Sequence, residues 1–212
     1  DNNIELVPGT EIIITTKSVM GTADKVSITY QGLPKDVKKG ERILLDDGKL
    51  MFEVISTNLK DEVKLKVIHG GYLSSKKGVN LPNTKISQPS LTEKDRNDLQ
   101  VILEYNLDWI GLSFVRSAKD IIELKHLISQ NNKQTKVVAK IEKPEAVKEL
   151  EDIVRESDAV MVARGDLGVE IPMQDVPLIQ KKIITTCLNY AKPVIVATQM
   201  MESMTENAAP TR

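Results

Sequence analysis

The sequence has one cysteine, two histidines and no long apolar run, and each shortage excludes a class of protein. The single cysteine, Cys187, excludes an internal disulfide framework and is typical of a reducing, cytoplasmic compartment. Because Cys187 follows Ile183 and Ile184 in an apolar helical pattern, we expect it in a core rather than at a reaction centre. The histidines, His69 and His126, are too far apart in sequence to match a zinc site.

Charge and hydropathy exclude two further classes. The 29 basic and 30 acidic residues leave a net charge of −1, so no overall field favours a nucleic acid or an anionic membrane. No apolar run approaches the ~20 residues of a membrane span, and the first residues lack the pattern of a signal peptide. With 41% hydrophobic residues, the 212-residue chain can form one large globular domain or two smaller ones. We therefore expect a cytoplasmic protein with no membrane or nucleic-acid partner.

Residues 1–82 have the pattern of an all-β domain. Asp46, Asp47 and Gly48 separate two apolar runs and indicate a hairpin, since Asp-Gly is a frequent hairpin turn. Short strands with no helical period between them predict a small β-barrel. The predicted strands are 11–16, 26–30, 41–45, 50–56 and 63–68.

A basic pair and a junction follow these strands. Lys76 and Lys77 stand beside a glycine and could meet a phosphate group, although a solvated loop explains the same residues. Residues 80–89 contain prolines and polar residues without a period, which indicates a junction between domains. The predicted domains are therefore 1–82 and 83–212.

From residue 90 the sequence alternates between helical and strand patterns. Ser90 and Glu93 form a capping-box signature, and Ser117 is placed to cap the next helix. Such alternation implies a parallel sheet and an α/β fold. The predicted helices are 90–105, 117–128, 146–154 and 176–190, and the predicted strands are 109–115, 136–141, 159–163 and 193–197.

Polar side chains follow each of these strands. A doubly wound sheet gathers its ligand at one switch point, whereas a (β/α)8 TIM barrel brings consecutive strand ends around one mouth. Both folds fit the alternation, but four polar strand ends in succession favour the barrel. Four strands do not close a barrel, so we expect a partial one. The residues at the strand ends are Ser113, Arg116, Lys140, Glu142, Asp166, Thr198 and Glu202.

The stretch that begins at Arg164 follows a strand directly. Gly165 and Gly168 flank Asp166, and two glycines around a carboxylate predict a tight turn with exposed backbone N–H groups. Such a turn could hold an anion on its amides and present Asp166 to a cation. A turn with a solvated Asp166 is the simpler alternative.

Lys140 and Glu142 are two residues apart on a predicted strand, so their side chains point the same way. Residues 137–139 are apolar, which predicts a strand buried on both faces, where a charge needs a partner or a ligand. Glu142 and Asp166, at adjacent strand ends, form a carboxylate pair suited to Mg²⁺, and Lys140 could neutralise a phosphoryl group in transfer. A solvated ion pair is the alternative. The Thr198 hydroxyl could bind a substrate oxygen, join a proton relay or cap a helix.

Together these motifs resemble pyruvate kinase over nearly the whole chain. Each short motif is weak by itself, but their order and spacing are specific. The matching motifs are LLDDG (44–48), SKKGVNLP (75–82), LTEKD (91–95), SFVR (113–116), KIE (140–142), MVARGDLGVEIP (161–172), KPVIVATQM (192–200) and PTR (210–212).

The resemblance implies both a fold and a reaction. Residues 1–82 match the lid, or B domain, which the family inserts after the third strand of its barrel. Residues 83–212 match strands four to seven of that (β/α)8 barrel, truncated at the C-terminus. The family transfers a phosphoryl group from phosphoenolpyruvate to ADP in glycolysis, giving ATP, and then protonates the enolate to pyruvate. It also implies Mg²⁺ or Mn²⁺ as cofactor, K⁺ in the full-length enzyme, and a homotetramer for that parent.

By position, the resemblance also implies residue roles. Lys140 matches the catalytic lysine that stabilises the transferring phosphoryl group, and Glu142 and Asp166 match the Mg²⁺ ligands. Gly165, Asp166 and Thr198 match substrate contacts, as does Lys140. Thr198, the second catalytic residue, lies near the face where the enolate is protonated.

The lid contributes one matched residue, and two positions depart from the family. Lys77 matches a nucleotide contact. Asn83 stands where the family usually has glycine after Leu-Pro, which would stiffen or re-aim the hinge. Lys143 follows Lys-Ile-Glu where asparagine is common.

Parts of the family's site lie outside this sequence. The first three barrel strands should carry an arginine contact to phosphate and an Asn-x-Ser site for a monovalent cation. The eighth strand and the effector-binding domain are also missing. We therefore expect a fragment of a pyruvate kinase with little or no activity by itself. A steady-state assay that finds normal turnover by the isolated chain would contradict this expectation.

Two alternatives remain open. A metal-dependent aldolase or lyase that acts on pyruvate-like enolates also uses a Glu and an Asp to hold Mg²⁺, but it needs neither Lys140 nor an inserted β domain. A non-catalytic fragment whose exposed edge strands pair with another copy is the second alternative, and its size in solution would reveal it.

Overall fold

The computed structural model describes residues 3–199 and 202–205. The chain forms two compact units, Asp1–Gln88 and Pro89–Arg212. The unit that follows the junction has the α/β fold that the alternating pattern predicts.

The division falls later in the chain than the boundary after Pro82 that the sequence predicts. Thr84 Oγ1 donates a hydrogen bond to Glu41 Oε2 at 2.7 Å, and Ser87 N donates to Asp36 Oδ2 at 2.8 Å. These bonds attach the segment after Pro82 to the first unit. Each of these bonds joins residues that are far apart in sequence, so no local sequence pattern predicts it.

The first unit consists mainly of β-strands in two sheets. The six-stranded sheet has the order β3-β2-β6-β5-β4-β8, and β1 pairs with β7 in a two-stranded sheet. Each of the five predicted strands is present. The sequence patterns did not predict three short strands, β1, β7 and β8, or the single-turn helix α1. The elements are β1 (Ile4–Leu6), β2 (Glu11–Thr15), β3 (Lys25–Ser27), α1 (Leu33–Asp36), β4 (Arg42–Leu45), β5 (Leu50–Thr57), β6 (Glu62–His69), β7 (Gly71–Leu73) and β8 (Val79–Asn80).

The predicted hairpin turn joins β4 to β5. Asp46, Asp47 and Gly48 all have positive φ, at 51°, 58° and 85°. This left-handed backbone suits Asp and Gly and reverses the chain, so that Leu45 pairs with Leu50 in an antiparallel ladder. The turn therefore fixes the register of the hairpin.

The second unit alternates helices with parallel strands. Its four-stranded sheet has the order β12-β11-β10-β9, so each strand lies beside the one that precedes it in sequence. Short 3₁₀ turns occupy Met173–Asp175 and Glu202–Thr205. The other elements are α2 (Glu93–Glu104), β9 (Trp109–Leu112), α3 (Ala118–Gln130), β10 (Lys136–Ile141), α4 (Pro144–Lys148), α5 (Leu150–Glu156), β11 (Ala159–Ala163), α6 (Arg164–Glu170), α7 (Val176–Asn189) and β12 (Val194–Ala197).

The helix starts differ in part from the predicted ones. Ser117 is the N-cap of α3, as predicted, and its backbone N–H donates to Asp120 Oδ2 at 2.9 Å. The N-cap of α2 is Thr92 with Asp95 at the third position, rather than Ser90 with Glu93. Both pairs have the same spacing, so the sequence signature alone fits either register.

The sheet is buried at its centre. Residues 137–139 of β10 are buried, which confirms a strand covered on both faces. Cys187 lies in the same hydrophobic core, on α7, and burial raises the pKa of its thiol to about 11. A buried thiol with so high a pKa is a core residue rather than a nucleophile, as the sequence predicts. Among the described residues, no helix is both long and apolar enough to cross a membrane.

Candidate active site

The carboxyl ends of the four parallel strands bring several predicted site residues to one edge of the sheet. Leu112 pairs with Ala139, so Ser113, directly after β9, lies beside Lys140 of β10. Ala163 pairs with Ala197, so the segments that begin at Arg164 and Thr198 leave the sheet side by side. The parallel register therefore gathers residues that are far apart in sequence.

Lys140 and Glu142 form an ion pair at this edge. Lys140 Nζ lies 2.6 Å from Glu142 Oε1 and donates a hydrogen bond to Ser113 Oγ at 2.8 Å. The Glu142 side chain is only 2% exposed, whereas that of Lys140 is 25% exposed. The buried carboxylate thus has a cation beside it, and that cation retains access to solvent.

A backbone amide holds the other oxygen of Glu142. Phe114 N donates to Glu142 Oε2 at 2.9 Å. Phe114 has a φ of 55°, in the left-handed region that a bulky residue rarely adopts, and its side chain is exposed. Sequence reasoning gave Phe114 no role because it acts through its backbone, and its only sequence signal is its place beside Ser113 in the SFVR motif.

The stretch after β11 is a helix and not the predicted tight turn. Arg164–Glu170 forms the seven-residue helix α6, and neither glycine in it has positive φ. The Gly165 amide is not exposed as predicted: Gly165 is buried, and its N–H donates to Thr198 Oγ1 at 3.3 Å. Asp166 lies in the first turn of α6 and is half-buried.

Thr198 and Arg164 connect the ends of β11 and β12. Arg164 Nε donates to Ala197 O at 2.9 Å, and the same guanidinium also donates to the carbonyl of Thr198. Thr198 has a φ of 73° and is exposed. Its hydroxyl accepts the Gly165 bond, which connects the end of β12 to α6, whose own N-cap is Ala163. Arg164 was not among the predicted site residues, because its target is a carbonyl on another strand.

A second buried ion pair lies beside the first. Lys143 Nζ donates to Glu170 Oε1 at 2.7 Å, and their side chains are 8% and 2% exposed. Lys143 Nζ also lies 5.9 Å from the centroid of the Phe114 ring. This pair joins the end of β10 to the last residue of α6, and sequence reasoning gave Glu170 no role.

The remaining predicted residues have partners of their own. Arg116 Nη2 donates to Ser90 Oγ at 3.1 Å. In the first unit, Lys77 Nζ lies 2.9 Å from Asp46 Oδ1, and the Lys77 side chain is 34% exposed. The hydrogen bonds from Lys77 and Lys49 hold the pKa of Asp46 below its usual value. The PTR motif and the methionines at 200 and 201 lie outside the described residues.

The donor atoms at the strand ends fit a hard divalent cation. Glu142 offers two buried carboxylate oxygens here, Oε1 beside the Lys140 ammonium at 2.6 Å and Oε2 on the Phe114 amide. Within residues 3–199 and 202–205, no cluster of three or more His, Cys, Asp or Glu side chains could hold a metal. Glu142 and Asp166 follow the neighbouring strands β10 and β11, and two carboxylates suit Mg²⁺, since Mg²⁺ typically takes one or two carboxylates and completes its shell with water or substrate oxygens.

Comparisons with known proteins agree over the whole chain. The family model for the barrel domain of pyruvate kinase matches residues 1–212. A pyruvate kinase of Corynebacterium glutamicum is 50% identical over 204 residues, covering 96% of this chain and 43% of that protein. A pyruvate kinase of Bacillus licheniformis is 46% identical over 214 residues, covering 100% of this chain and 37% of that protein.

A solved structure has the same fold. It is a pyruvate kinase from Cryptosporidium parvum, 39% identical, with a TM-score of 0.87 over 99% of this chain and 44% of that chain. This chain therefore spans less than half the length of each of these relatives.

Proposed function

The chain belongs to the pyruvate kinase family, and we propose that it carries part of the site at which such an enzyme transfers a phosphoryl group from phosphoenolpyruvate to ADP. The observation that carries this proposal is the buried carboxylate of Glu142 with the Lys140 ammonium 2.6 Å away. Charge buried at a strand end costs free energy unless it has a partner or a ligand, and ionisable groups held in this way cluster at functional sites. Neither the aldolase nor the non-catalytic alternative gains support from the comparisons.

Lys140 is proposed to act on the transferring phosphoryl group. Its ammonium is held by Glu142 and Ser113, so its position is fixed before a substrate arrives. A fixed positive charge costs no reorganisation when negative charge develops on phosphoryl oxygens. The 25% exposure of its side chain leaves it accessible from solvent.

Glu142 and Asp166 are proposed to hold Mg²⁺ or Mn²⁺. Bound there, the ion would screen negative charge on the substrate's oxygens. Gly165 and Thr198 are proposed as substrate contacts beside Asp166. Thr198 is exposed, and its hydroxyl accepts a long, 3.3 Å bond from Gly165, so we expect the hydroxyl to be able to exchange a proton with a substrate or water.

Further proposals concern the whole enzyme. The first unit is proposed to be the lid, with Lys77 contacting the nucleotide phosphates after it leaves Asp46. The second unit is proposed to be strands four to seven of a (β/α)8 barrel, a layout that the consecutive strand order supports. The full-length parent is proposed to use K⁺, to act on phosphoenolpyruvate and ADP in the cytoplasm, and to form a homotetramer.

Cation binding by the chain tests the proposal. We expect Mn²⁺ or Mg²⁺, titrated calorimetrically, to bind more tightly when oxalate is present, because oxalate mimics the enolate and adds oxygen ligands. The double variant Glu142→Gln, Asp166→Asn should lose this binding, since both charged ligands are replaced by amides.

A control with the same change of charge separates the site from bulk electrostatics. Glu149 and Asp152 are exposed residues of the helical segment between β10 and β11, and Glu149→Gln, Asp152→Asn should leave binding unchanged. Equal binding by the two double variants would overturn the assignment of the ligands. Failure of the unaltered chain to bind either cation would overturn the proposal that Glu142 and Asp166 form a metal site in this chain.

A further inference from the structure

Lys143 is a charged side chain placed where a charge is costly. It directly follows Glu142, it is 8% exposed, and it lies between two groups that belong to different segments. Burying an ammonium is unfavourable unless it is paired and hydrogen-bonded. The partners of Lys143 therefore indicate what its burial achieves.

One partner is the aromatic ring of Phe114. The ammonium lies 5.9 Å from the ring centroid, within the range of a cation–π interaction. The same residue donates its backbone N–H to Glu142 Oε2. Lys143 thus contacts the residue whose amide orients Glu142.

The other partner is Glu170 at the end of α6. Its Oε1 accepts from Lys143 Nζ at 2.7 Å. Asp166 and Glu170 are four residues apart on this helix, so they lie on neighbouring positions of one face. A seven-residue helix has little stability of its own, and a buried ion pair at its last residue restricts how it can move.

We propose that Lys143 is a positioning residue that fixes Glu142 and Asp166 relative to each other. Lys143 contacts Phe114, whose backbone amide binds Glu142. Its ion pair with Glu170 anchors α6, the helix that carries Asp166. This inference rests on the proposed function of Glu142 and Asp166 as metal ligands. Groups that contact metal ligands commonly control the affinity for the metal in this way.

Mn²⁺ binding in the presence of oxalate is the first readout. Lys143→Met keeps the apolar stem and removes the charge, and we expect it to weaken Mn²⁺ binding by about 10–100-fold. Lys143→Arg keeps the charge and the ring contact and should recover most of the affinity. Lys148→Met, the same change at an exposed lysine at the end of α4, should bind as the unaltered chain does.

Amide hydrogen exchange in the metal-free chain is the second readout. Lys143→Met should speed exchange at the Phe114 amide and along α6, while the amides of α3 keep their rates. Lys143→Arg should restore slow exchange at both places. A general loss of stability would instead raise exchange throughout the unit.

The two readouts separate this inference from the proposed function. If Mn²⁺ binding requires Glu142 and Asp166 but Lys143→Met binds normally, the inference fails and the function stands. If the unaltered chain binds no Mn²⁺, the proposed function fails, and exchange at Phe114 and α6 then decides the role of Lys143. If Lys143→Met leaves exchange unchanged at the Phe114 amide or along α6, the proposed positioning role of Lys143 is overturned.

Discussion

Lys140→Met is expected to lower the free energy of unfolding of the second unit by about 2 kcal/mol in metal-free buffer. Removing one partner of a fully buried pair costs about 3–5 kcal/mol, because the remaining charge loses its counterion. The cost should be smaller here because Lys140 is 25% exposed and Phe114 N still holds Glu142. Saturating Mg²⁺ should restore most of the lost stability, because the ion supplies positive charge to Glu142 and binds the folded state.

The measurement is urea unfolding followed by tryptophan fluorescence, with and without Mg²⁺. Trp109 is the only tryptophan in the chain and lies on β9, so its signal reports on the second unit. Lys125→Met is the matched control. Lys125 pairs with Asp158 at 2.8 Å, with side chains 34% and 31% exposed, so its loss should cost at most about 1 kcal/mol and show no dependence on Mg²⁺.

The same variant separates the proposed roles of Lys140 and the carboxylates. Lys140→Met should still bind Mn²⁺, since both carboxylates remain and a neighbouring positive charge is gone. Oxalate should no longer tighten that binding as strongly, because the ammonium that would face its oxygens is absent. Equal destabilisation with and without Mg²⁺, together with an unchanged oxalate effect, would contradict both roles.

The sequence predicted the strand β10 well, and it also indicated the charged pair Lys140 and Glu142 at the strand's end. Residues 136–141 were predicted as a strand, and Lys136–Ile141 is the strand observed. An uninterrupted apolar run is the signature of a strand buried on both faces, and a charge at its end is conspicuous for that reason. The pairing of Lys140 with Glu142 then follows from their spacing of two.

The helix α6 could not be predicted in the same way. Two glycines in five residues lower the intrinsic helix propensity of this stretch, so a turn was the better local prediction. The burial of Leu167 and the bond from Gly165 N to Thr198 Oγ1 favour the helix, and both depend on other segments. Tertiary contacts thus override the local preference.

Residues that act through long-range contacts were missed for a related reason. Phe114 contributes a backbone amide and Arg164 binds carbonyls on another strand. Glu170 and Lys143 are 27 residues apart, and nothing in either local pattern indicates that they pair. Sequence motifs identified which side chains bear charge, but the contacts that orient those charges appear only when the strands are placed side by side.

Leu167→Ala is expected to damage both stability and metal binding. Leu167 is 0% exposed on α6, directly after Asp166, and its truncation should lower the free energy of unfolding by about 2–5 kcal/mol through lost burial and a residual cavity. Because α6 is too short to be stable without packing, Asp166 should lose its fixed position. We expect Mn²⁺ binding to weaken by about tenfold, measured by calorimetry where circular dichroism shows a folded chain.

Leu150→Ala distinguishes loss of position from loss of stability. Leu150 is 2% exposed on α5, so the same substitution removes a comparable buried side chain from an element that carries no proposed ligand. The two variants should unfold at similarly reduced urea concentrations, yet only Leu167→Ala should bind Mn²⁺ more weakly while folded. Equal losses of affinity would mean that binding follows global stability. An unchanged affinity in both would mean that Asp166 keeps its place without the packing of α6. Either result would contradict a site whose geometry depends on the contacts around this short helix.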